Sequence, residues 1–195
     1  MVRKIFTSLF ILWGIHSLYA QQSQLTAYTD NFNRDTLKSG WIENNQYHLS
    51  ATGTSMKIDV DKYRPWKGFN LELGDRYDFS SNPYVNVRVK GEMPFILHVY
   101  LVDINGKYTL TQTRVPQSDG FITHFFDMTV NPQEGFDITR VDRMVFAFNG
   151  ASVSLKGSAF FDELLVGGSA DKIASLGGLL NQIIPRNSTD NNILV

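Results

Sequence analysis

The sequence contains no cysteine, and this absence excludes several kinds of chemistry and structure. Disulfide bonds, a cysteine nucleophile and a lipid attached to a mature N-terminal cysteine are all ruled out. The chain also lacks an excess of either charge, because 18 Lys and Arg oppose 19 Asp and Glu in 195 residues, a formal net charge of -1. A chain without a basic surface does not attract phosphate backbones, so we expect no nucleic acid partner and favour a neutral ligand.

Motifs for catalysis are also missing. The sequence has no G-x-S-x-G motif for a serine nucleophile and no H-E-x-x-H motif for zinc. His48, His98 and His124 are far apart, and no strand-like segment carries the alternating acids expected of a jelly-roll glycosidase. We therefore predict a protein that binds a partner and is not an enzyme.

The N-terminal apolar run is too short to cross a membrane. Arg3 and Lys4 precede apolar residues 5–15, and Ala20 is a small residue at a suitable cleavage point. This pattern predicts a signal peptide over residues 1–20, export of the mature chain and no membrane insertion after the signal is removed. The alternative, an uncleaved anchor, would need about 20 apolar residues. We expect a secreted protein, located in the periplasm, at the cell surface or outside the cell.

The mature sequence is rich in short segments that alternate like β-strands. Aromatic residues make up 13% of the chain, and the 14 Phe and 8 Tyr favour strands over helices. Turn signals recur at roughly the 8 to 12 residue spacing of a sandwich or barrel. We predict one all-β domain over residues 21–167, a two-sheet antiparallel β-sandwich. The predicted strands are Leu25–Thr29, Tyr47–Ser50, Ser55–Val60, Asn70–Leu73, Tyr84–Lys90, Phe95–Asp103, Tyr108–Val115, Phe121–Met128, Arg143–Asn149 and Ala159–Val166.

Residues 168–195 do not continue this alternation. Gly167-Gly168-Ser169 predicts a linker. Apolar residues between Asp171 and Ile184 predict one weak amphipathic helix, interrupted by Gly177-Gly178. The sequence indicates no role for this tail and no oligomeric state.

Two predicted strands in the middle of the chain carry polar side chains on one side. Asn86 and Arg88 alternate with valines, and His98 and Tyr100 alternate with other apolar residues on the next strand. Consecutive strands usually pair, so these four side chains are predicted to share one sheet face. Such a face is either the ordinary solvated exterior or, on a concave sheet, a binding surface. The dipeptide Asn105-Gly106 predicts a type I′ hairpin turn after the second of these strands.

Asp162 is the most informative acid, because it shares a strand side with Phe160, Leu164 and Val166. A carboxylate on an apolar face costs several kcal/mol unless a cation or several donors compensate it. The expected neighbour, if the first and last strands lie side by side, is the polar cluster just after the first strand, formed by Asp30, Asn31 and Asn33. Carboxylates are preferred ligands of calcium, so we predict one structural Ca2+ held by Asp30 and Asp162. The alternative is that Asp162 accepts backbone hydrogen bonds and Asp30 caps a turn.

Several short motifs occur in the order found in one group of sandwich domains. They are Asp30–Phe32 followed by Trp41, Asp78–Gly91, Phe95–Lys107 and Phe160–Leu164. Together they span about residues 28–167 and resemble the galactose-binding-like jelly-roll domains found among carbohydrate-binding modules.

The resemblance implies a jelly-roll sandwich, a structural calcium mapped onto Asp30 and Asp162, and glycan binding on a concave sheet or a loop rim. Asn31 departs from the second acid that is usual in the first motif. The implied function is a secreted, non-catalytic protein that binds a neutral glycan or polysaccharide. The alternatives are a structural or adhesive cell-envelope protein that binds another protein, and a polysaccharide-degrading enzyme.

Trp66 is the leading candidate for a glycan platform. It lies in the polar segment 63–68, where a large ring has less reason to be buried, and a flat ring matches the C–H face of a pyranose. The alternative is that the ring packs on the edge of the sandwich. The other candidate ligand-binding residues are Arg88, Asn86, Tyr100, His98 and Gln112.

Overall fold

The computed structural model describes residues 25–60, 68–149 and 156–167, apart from the side chains of Asp75 and Asn149. The predicted signal peptide, the predicted platform Trp66 and the predicted C-terminal helix lie outside these residues. In the described part of the chain, no helix has the length and apolar character that a membrane span requires.

The described residues form eleven strands and one short 3₁₀ turn, Ile138–Arg140. The strands are β1 (Ala27–Asp30), β2 (Trp41–Ile42), β3 (Tyr47–Ala51), β4 (Met56–Val60), β5 (Phe69–Tyr77), β6 (Tyr84–Gly91), β7 (Phe95–Asp103), β8 (Tyr108–Val115), β9 (Ile122–Asp127), β10 (Val141–Asn149) and β11 (Gly157–Gly167). Every predicted strand is present, with small differences at the ends. The two-residue strand β2 was not predicted, because it is too short for alternation to show.

The strands form two antiparallel sheets that pack face to face. One sheet has the order β3-β4-β11-β6-β9, with β1 also paired to β11, and the other has the order β2-β5-β10-β7-β8. The predicted two-sheet antiparallel sandwich is therefore confirmed. The first and last strands pair as expected, with Asp30 opposite Leu164.

Aromatic rings from both sheets fill the space between them. Phe161 of β11 lies 5.9 Å from Phe69, 5.4 Å from Phe146 and 6.4 Å from Phe148, measured between ring centroids. These three partners belong to the opposite sheet. Such contacts between offset or tilted rings add to the energy of apolar burial, so this aromatic cluster holds the two sheets together.

The predicted pairing of β6 with β7 is wrong. β6 pairs with β11 and β9, whereas β7 pairs with β10 and β8 in the other sheet. Gly91 ends β6 where the chain changes sheet, and a Cβ at this position would lie 2.8 Å from the carbonyl oxygen of Met93. The outward sides of β6 and β7 therefore belong to opposite faces of the sandwich, and the four polar residues predicted to share one face are divided between two.

A bulge in β11 changes which side chains face the core. The register between β11 and β6 shifts between Phe161 and Glu163. Phe161 is fully buried, while Phe160 is only partly buried and lies beneath the Lys90 ammonium group at 5.5 Å from its ring centroid. The predicted placement of Phe160 and Asp162 on the core stripe is therefore wrong, although Leu164 is buried as expected.

The hairpin between β7 and β8 is present, but its turn is not type I′. Gly106 has a φ of 76°, whereas Asn105 does not have a positive φ. The backbone N–H of Gly106 donates to the carbonyl oxygen of Asp103, and the N–H of Asp103 donates to the carbonyl of Lys107. This is a three-residue loop with glycine at the left-handed position, the next most common hairpin solution.

Candidate functional site

The outer face of the five-stranded sheet collects three of the predicted ligand-binding residues. His98 on β7 lies directly opposite Gln112 on β8, and Tyr100 lies opposite Leu110. Two further polar residues project from the same side of β8, Tyr108 and Arg114. We call the surface formed by His98, Tyr100, Tyr108, Gln112 and Arg114 the tyrosine face.

His98 lies on the tyrosine face opposite Gln112. Its side chain points away from the space between the sheets, because its strand neighbours Leu97 and Val99 point into the core. Even so, only 8% of the residue is exposed. Neither ring nitrogen has a hydrogen-bond partner within the described ranges. Burial lowers the pKa of the imidazole, so the ring is uncharged at neutral pH and offers one N–H donor and one acceptor.

Two tyrosine rings pack against each other on the same face, at the end nearer the hairpin turn. The rings of Tyr100 and Tyr108 are 5.5 Å apart between centroids, in an edge-to-face arrangement. Burial raises the pKa of Tyr100, and Tyr108 raises it further, so the hydroxyl stays protonated. Gln112 and Arg114 are exposed and complete the surface with amide and guanidinium donors. Tyr108 was not predicted, because its place opposite Val102 depends on the hairpin register.

The tyrosine face therefore combines flat apolar rings with uncharged donors and acceptors. Among the five residues of this face, Arg114 is the one that carries a charge at neutral pH. Aromatic rings present area that matches the C–H faces of ring-shaped ligands, and each well-made hydrogen bond adds about 0.5 to 1.5 kcal/mol after desolvation. This combination suits a neutral ligand with many hydroxyl groups.

Asn86 and Arg88, the other predicted residues within the described ranges, lie on the opposite face of the sandwich. Arg88 donates to the Asp162 carboxylate at 2.8 Å, and its guanidinium lies 5.6 Å from the centroid of the Phe121 ring. Asn86 is 5% exposed, and its side-chain nitrogen has no hydrogen-bond partner among the residues described. Both line a shallow depression together with Val87, Thr123 and Glu163. We call this the Asn86 depression.

The carboxylate of Asp30, one of the two predicted calcium ligands, is hydrogen-bonded by groups of the protein itself. Its carboxylate accepts hydrogen bonds from the backbone N–H of Phe32 at 3.0 Å, from the Trp41 indole N–H at 3.1 Å and from the Arg34 guanidinium. Asp30 reaches toward Trp41 of the other sheet, whereas Asp162 pairs with Arg88 on the outer face. No cluster of three or more candidate metal-binding side chains occurs in the described ranges. A calcium ion shared by Asp30 and Asp162 stays a prediction.

We expect EDTA to leave the melting temperature of the purified protein unchanged, because each of the two carboxylates already has a guanidinium partner. Thermal unfolding followed by circular dichroism with EDTA and with added calcium checks this. A calcium ion at about a hundred times its dissociation constant would contribute about 2.7 kcal/mol. A clear fall in melting temperature in EDTA would therefore restore the predicted calcium.

Comparison with solved structures identifies relatives of this fold. An exo-β-agarase matches with a TM-score of 0.57 and 11% identity over 74% of this chain, and an agarase matches with a TM-score of 0.55 and 10% identity over the same share. This chain spans 25% of the length of each agarase. A mutant family 29 carbohydrate-binding module, complexed with mannohexaose, matches with a TM-score of 0.54 and 18% identity over 77% of this chain and 97% of the module.

The fold is that of a carbohydrate-binding module. The match runs over nearly the full length of the family 29 module, and this confirms the predicted jelly-roll sandwich. At identities this low, the likeness of the chain to the module concerns the fold alone. No protein-family model and no curated protein matches the sequence.

Proposed function

We propose that this chain is a secreted, non-catalytic protein of the carbohydrate-binding-module type that binds a neutral glycan on its tyrosine face. One observation carries the proposal. Two tyrosine rings 5.5 Å apart share one outer sheet face with an exposed amide and with an uncharged imidazole that has no hydrogen-bond partner among the described residues. A polar group that is buried without a partner costs about 1 to 3 kcal/mol, so a ligand hydroxyl that reaches the imidazole would remove that cost.

The charge distribution favours the tyrosine face over the outer face of the six-stranded sheet. That second face carries ion pairs between Lys57 and Asp59 at 2.9 Å and between Arg88 and Asp162 at 2.8 Å. Charged side chains already paired with each other gain little from a neutral ligand. The tyrosine face offers its aromatic area and its uncharged hydrogen-bonding groups without such pairs.

Export and the absence of catalysis belong to the same proposal. The charged start and short apolar run of residues 1–20 support removal of a signal peptide, which would bring the domain to polysaccharides outside the cell. The fold is shared with modules that carry no catalytic centre of their own, and this supports a binding role.

Replacing Tyr100 by alanine should weaken glycan binding by about tenfold or more, equivalent to about 1.4 kcal/mol. The ring supplies contact area at the centre of the face, so its loss should cost more than loss of the single Gln112 amide. Affinity gel electrophoresis in β-mannan, agarose and hydroxyethylcellulose measures this as lost retardation. The panel begins with the first two because a structural neighbour is complexed with mannohexaose and two others are agarases.

Tyr84→Ala is the matched control, because Tyr84 is also a partly buried tyrosine beside another ring, Phe125 at 4.9 Å, but lies on the opposite face. It should retain the retardation of the wild type. Equal losses in folded Tyr84→Ala and Tyr100→Ala proteins would contradict the tyrosine face as the site. A wild type that no polysaccharide retards and no glycan array captures would contradict carbohydrate binding and favour a protein partner.

A further inference from the structure

Two histidines lie on either side of the edge strand β8. His98 belongs to β7, the strand that pairs with β8, and lies directly opposite Gln112. His124 belongs to β9 in the other sheet, and its position opposite the buried Val87 directs it toward the space between the sheets. β8 and β9 approach each other at this side of the sandwich, so the two histidines flank β8 from its own sheet and from the opposite one. We call His98 and His124 the histidine pair.

Neither member of the histidine pair has a partner that would stabilise a positive charge. Both ring nitrogens of His98 and the Nε2 atom of His124 are buried and have no hydrogen-bond partner in the described ranges. Burial lowers the pKa of both imidazoles, and no described charged group contributes to either shift. A proton added to either ring therefore creates a poorly solvated charge inside the folded protein.

The strands beside His98 offer no acid. Its direct neighbours across the sheet are Ala147 on β10 and Gln112 on β8. The titratable or charged side chains next to it on the same face are Tyr100, which stays protonated, and Arg114, which is itself a cation. An imidazolium at this position would therefore meet repulsion from Arg114 and no compensating carboxylate.

The strands beside His124 offer no acid either. The core-facing residues next to it are Val85, Val87 and Val89 on β6 and Thr111 and Thr113 on β8. The charged residues of β6, β8 and β9 alternate with core-facing positions and lie on the outer faces: Arg88, Lys90, Arg114 and Asp127. Protonation of His124 would thus place a charge between valine and threonine side chains.

We propose that the histidine pair is an acid-sensitive switch, which keeps β8 packed on the sandwich while both rings are uncharged and releases it on acidification. β8 is the strand expected to open, because it is an edge strand and pairs within its sheet only with β7 among the described strands. Segments with few partners open at a lower free-energy cost than the rest of a fold. Opening would remove Tyr108, Gln112 and Arg114 from the tyrosine face.

The direction of the pH effect follows from proton linkage. A histidine whose pKa is lower in the closed state than in the open state binds more protons when β8 is open. Closing is therefore fully favoured above the ordinary histidine pKa of about 6.5 and is weakened as the pH falls toward the lower value of the closed state. Within that window, each histidine changes the ratio of closed to open molecules by up to about tenfold per pH unit.

The test combines two measurements on the wild type between pH 7.5 and pH 5.0. NMR of the imidazole signals should show that the histidine pair titrates at lower pH than the exposed His48. Hydrogen exchange, corrected for the intrinsic rate at each pH, should show that residues 108–115 lose protection by about tenfold or more at pH 5.0, since each histidine acts over more than one pH unit. The central strand β10 should keep its protection.

The double variant His98→Gln/His124→Gln should lose this pH dependence, whereas the matched control His48→Gln, which changes an exposed histidine, should retain it. Each single variant should retain part of it, and the single variants replace the double variant if that protein does not fold. A loss of protection that the variants leave untouched would assign the effect to carboxylates and overturn the switch. An equal loss in β10 would show global unfolding and overturn it too, as would a histidine pair that titrates together with His48 while β8 stays protected.

The consequence for glycan binding rests on the proposed function, whereas the switch itself does not. A polysaccharide that retards the wild type at pH 7.5 should retard it less at pH 5.0 and should retard the double variant equally at both. Equal retardation of the wild type at both pH values would overturn the link between the switch and the tyrosine face. If no polysaccharide retards the wild type at pH 7.5, the proposed function fails, and hydrogen exchange alone decides the switch.

Discussion

Phe161→Ala should lower the free energy of unfolding by about 4 kcal/mol, whereas Phe160→Ala should lower it by less than about 1 kcal/mol. The two residues are adjacent and chemically identical, so only their facing differs. Phe161 is fully buried and touches three rings of the opposite sheet, while Phe160 lies on the outer face. Truncation of Phe161 leaves a cavity at the centre of the aromatic cluster.

Urea denaturation followed by tryptophan fluorescence measures both free energies. The comparison also tests the bulge in β11, because strict alternation through Asp162 and the buried Leu164 would place Phe160 inside and Phe161 outside. The reverse order of the two losses would therefore contradict the bulge. It would return Asp162 to the core stripe, where the sequence alone had placed it.

Arg34→Ala should lower the free energy of unfolding by about 3 kcal/mol. Asp30 is 1% exposed, and Arg34 is the cation that compensates its carboxylate. Removal of one partner from a buried ion pair leaves an uncompensated charge, and measured losses for such changes are about 3 to 5 kcal/mol. We expect the lower end because the Arg34 side chain keeps some contact with solvent.

The double variant Asp30→Asn/Arg34→Leu separates charge compensation from packing. It removes both charges, and the asparagine oxygen keeps one of the two hydrogen bonds, because the Phe32 and Trp41 N–H groups donate to different carboxylate oxygens. Loss of the other hydrogen bond costs about 1 to 3 kcal/mol, which is less than the cost of an uncompensated buried charge. The double variant should therefore be more stable than Arg34→Ala by at least about 1 kcal/mol. If Arg34→Ala unfolds at the same urea concentration as the wild type, the Asp30 charge is compensated by something else, and a bound cation becomes the leading explanation.

Local patterns were sufficient to predict the strands and the fold class. Alternation over Tyr84–Lys90 and Phe95–Asp103 matched β6 and β7 closely, since side chains in a half-buried strand must alternate whatever they pair with. Pairing of β1 with β11 was also predicted correctly, from the family resemblance. Each of these features depends on residues that are near in sequence or on a motif order shared with other sandwiches.

The assignment of strands to sheets could not be read in the same way. β6 and β7 are separated by a short turn after Gly91, and their alternation would look the same in one sheet or in two. The choice between sheets is made by contacts distant in sequence, chiefly those of β6 with β11 and of β7 with β10. This is why Asn86 and His98 were predicted to be neighbours and lie on opposite faces.

The bulge at Asp162 escaped prediction for a related reason. A single extra residue shifts every later side chain by one position, and no glycine or proline marks it within residues 158–166. The polar residue itself was the only local signal. Its cost on an apolar face was recognised, but the sequence did not show that the chain turns the carboxylate outward to Arg88.

The most direct test of the central claim is the location of an oligosaccharide on the folded protein. NMR titration with mannohexaose and with neoagarohexaose follows the backbone amides of β7 and β8 together with those of β6 and β9. Binding to the tyrosine face predicts that the largest saturable shifts cluster on residues 96–102 and 108–114 with one of these hexasaccharides. Shifts confined to β6 and β9, or to loops outside both sheets, would contradict it.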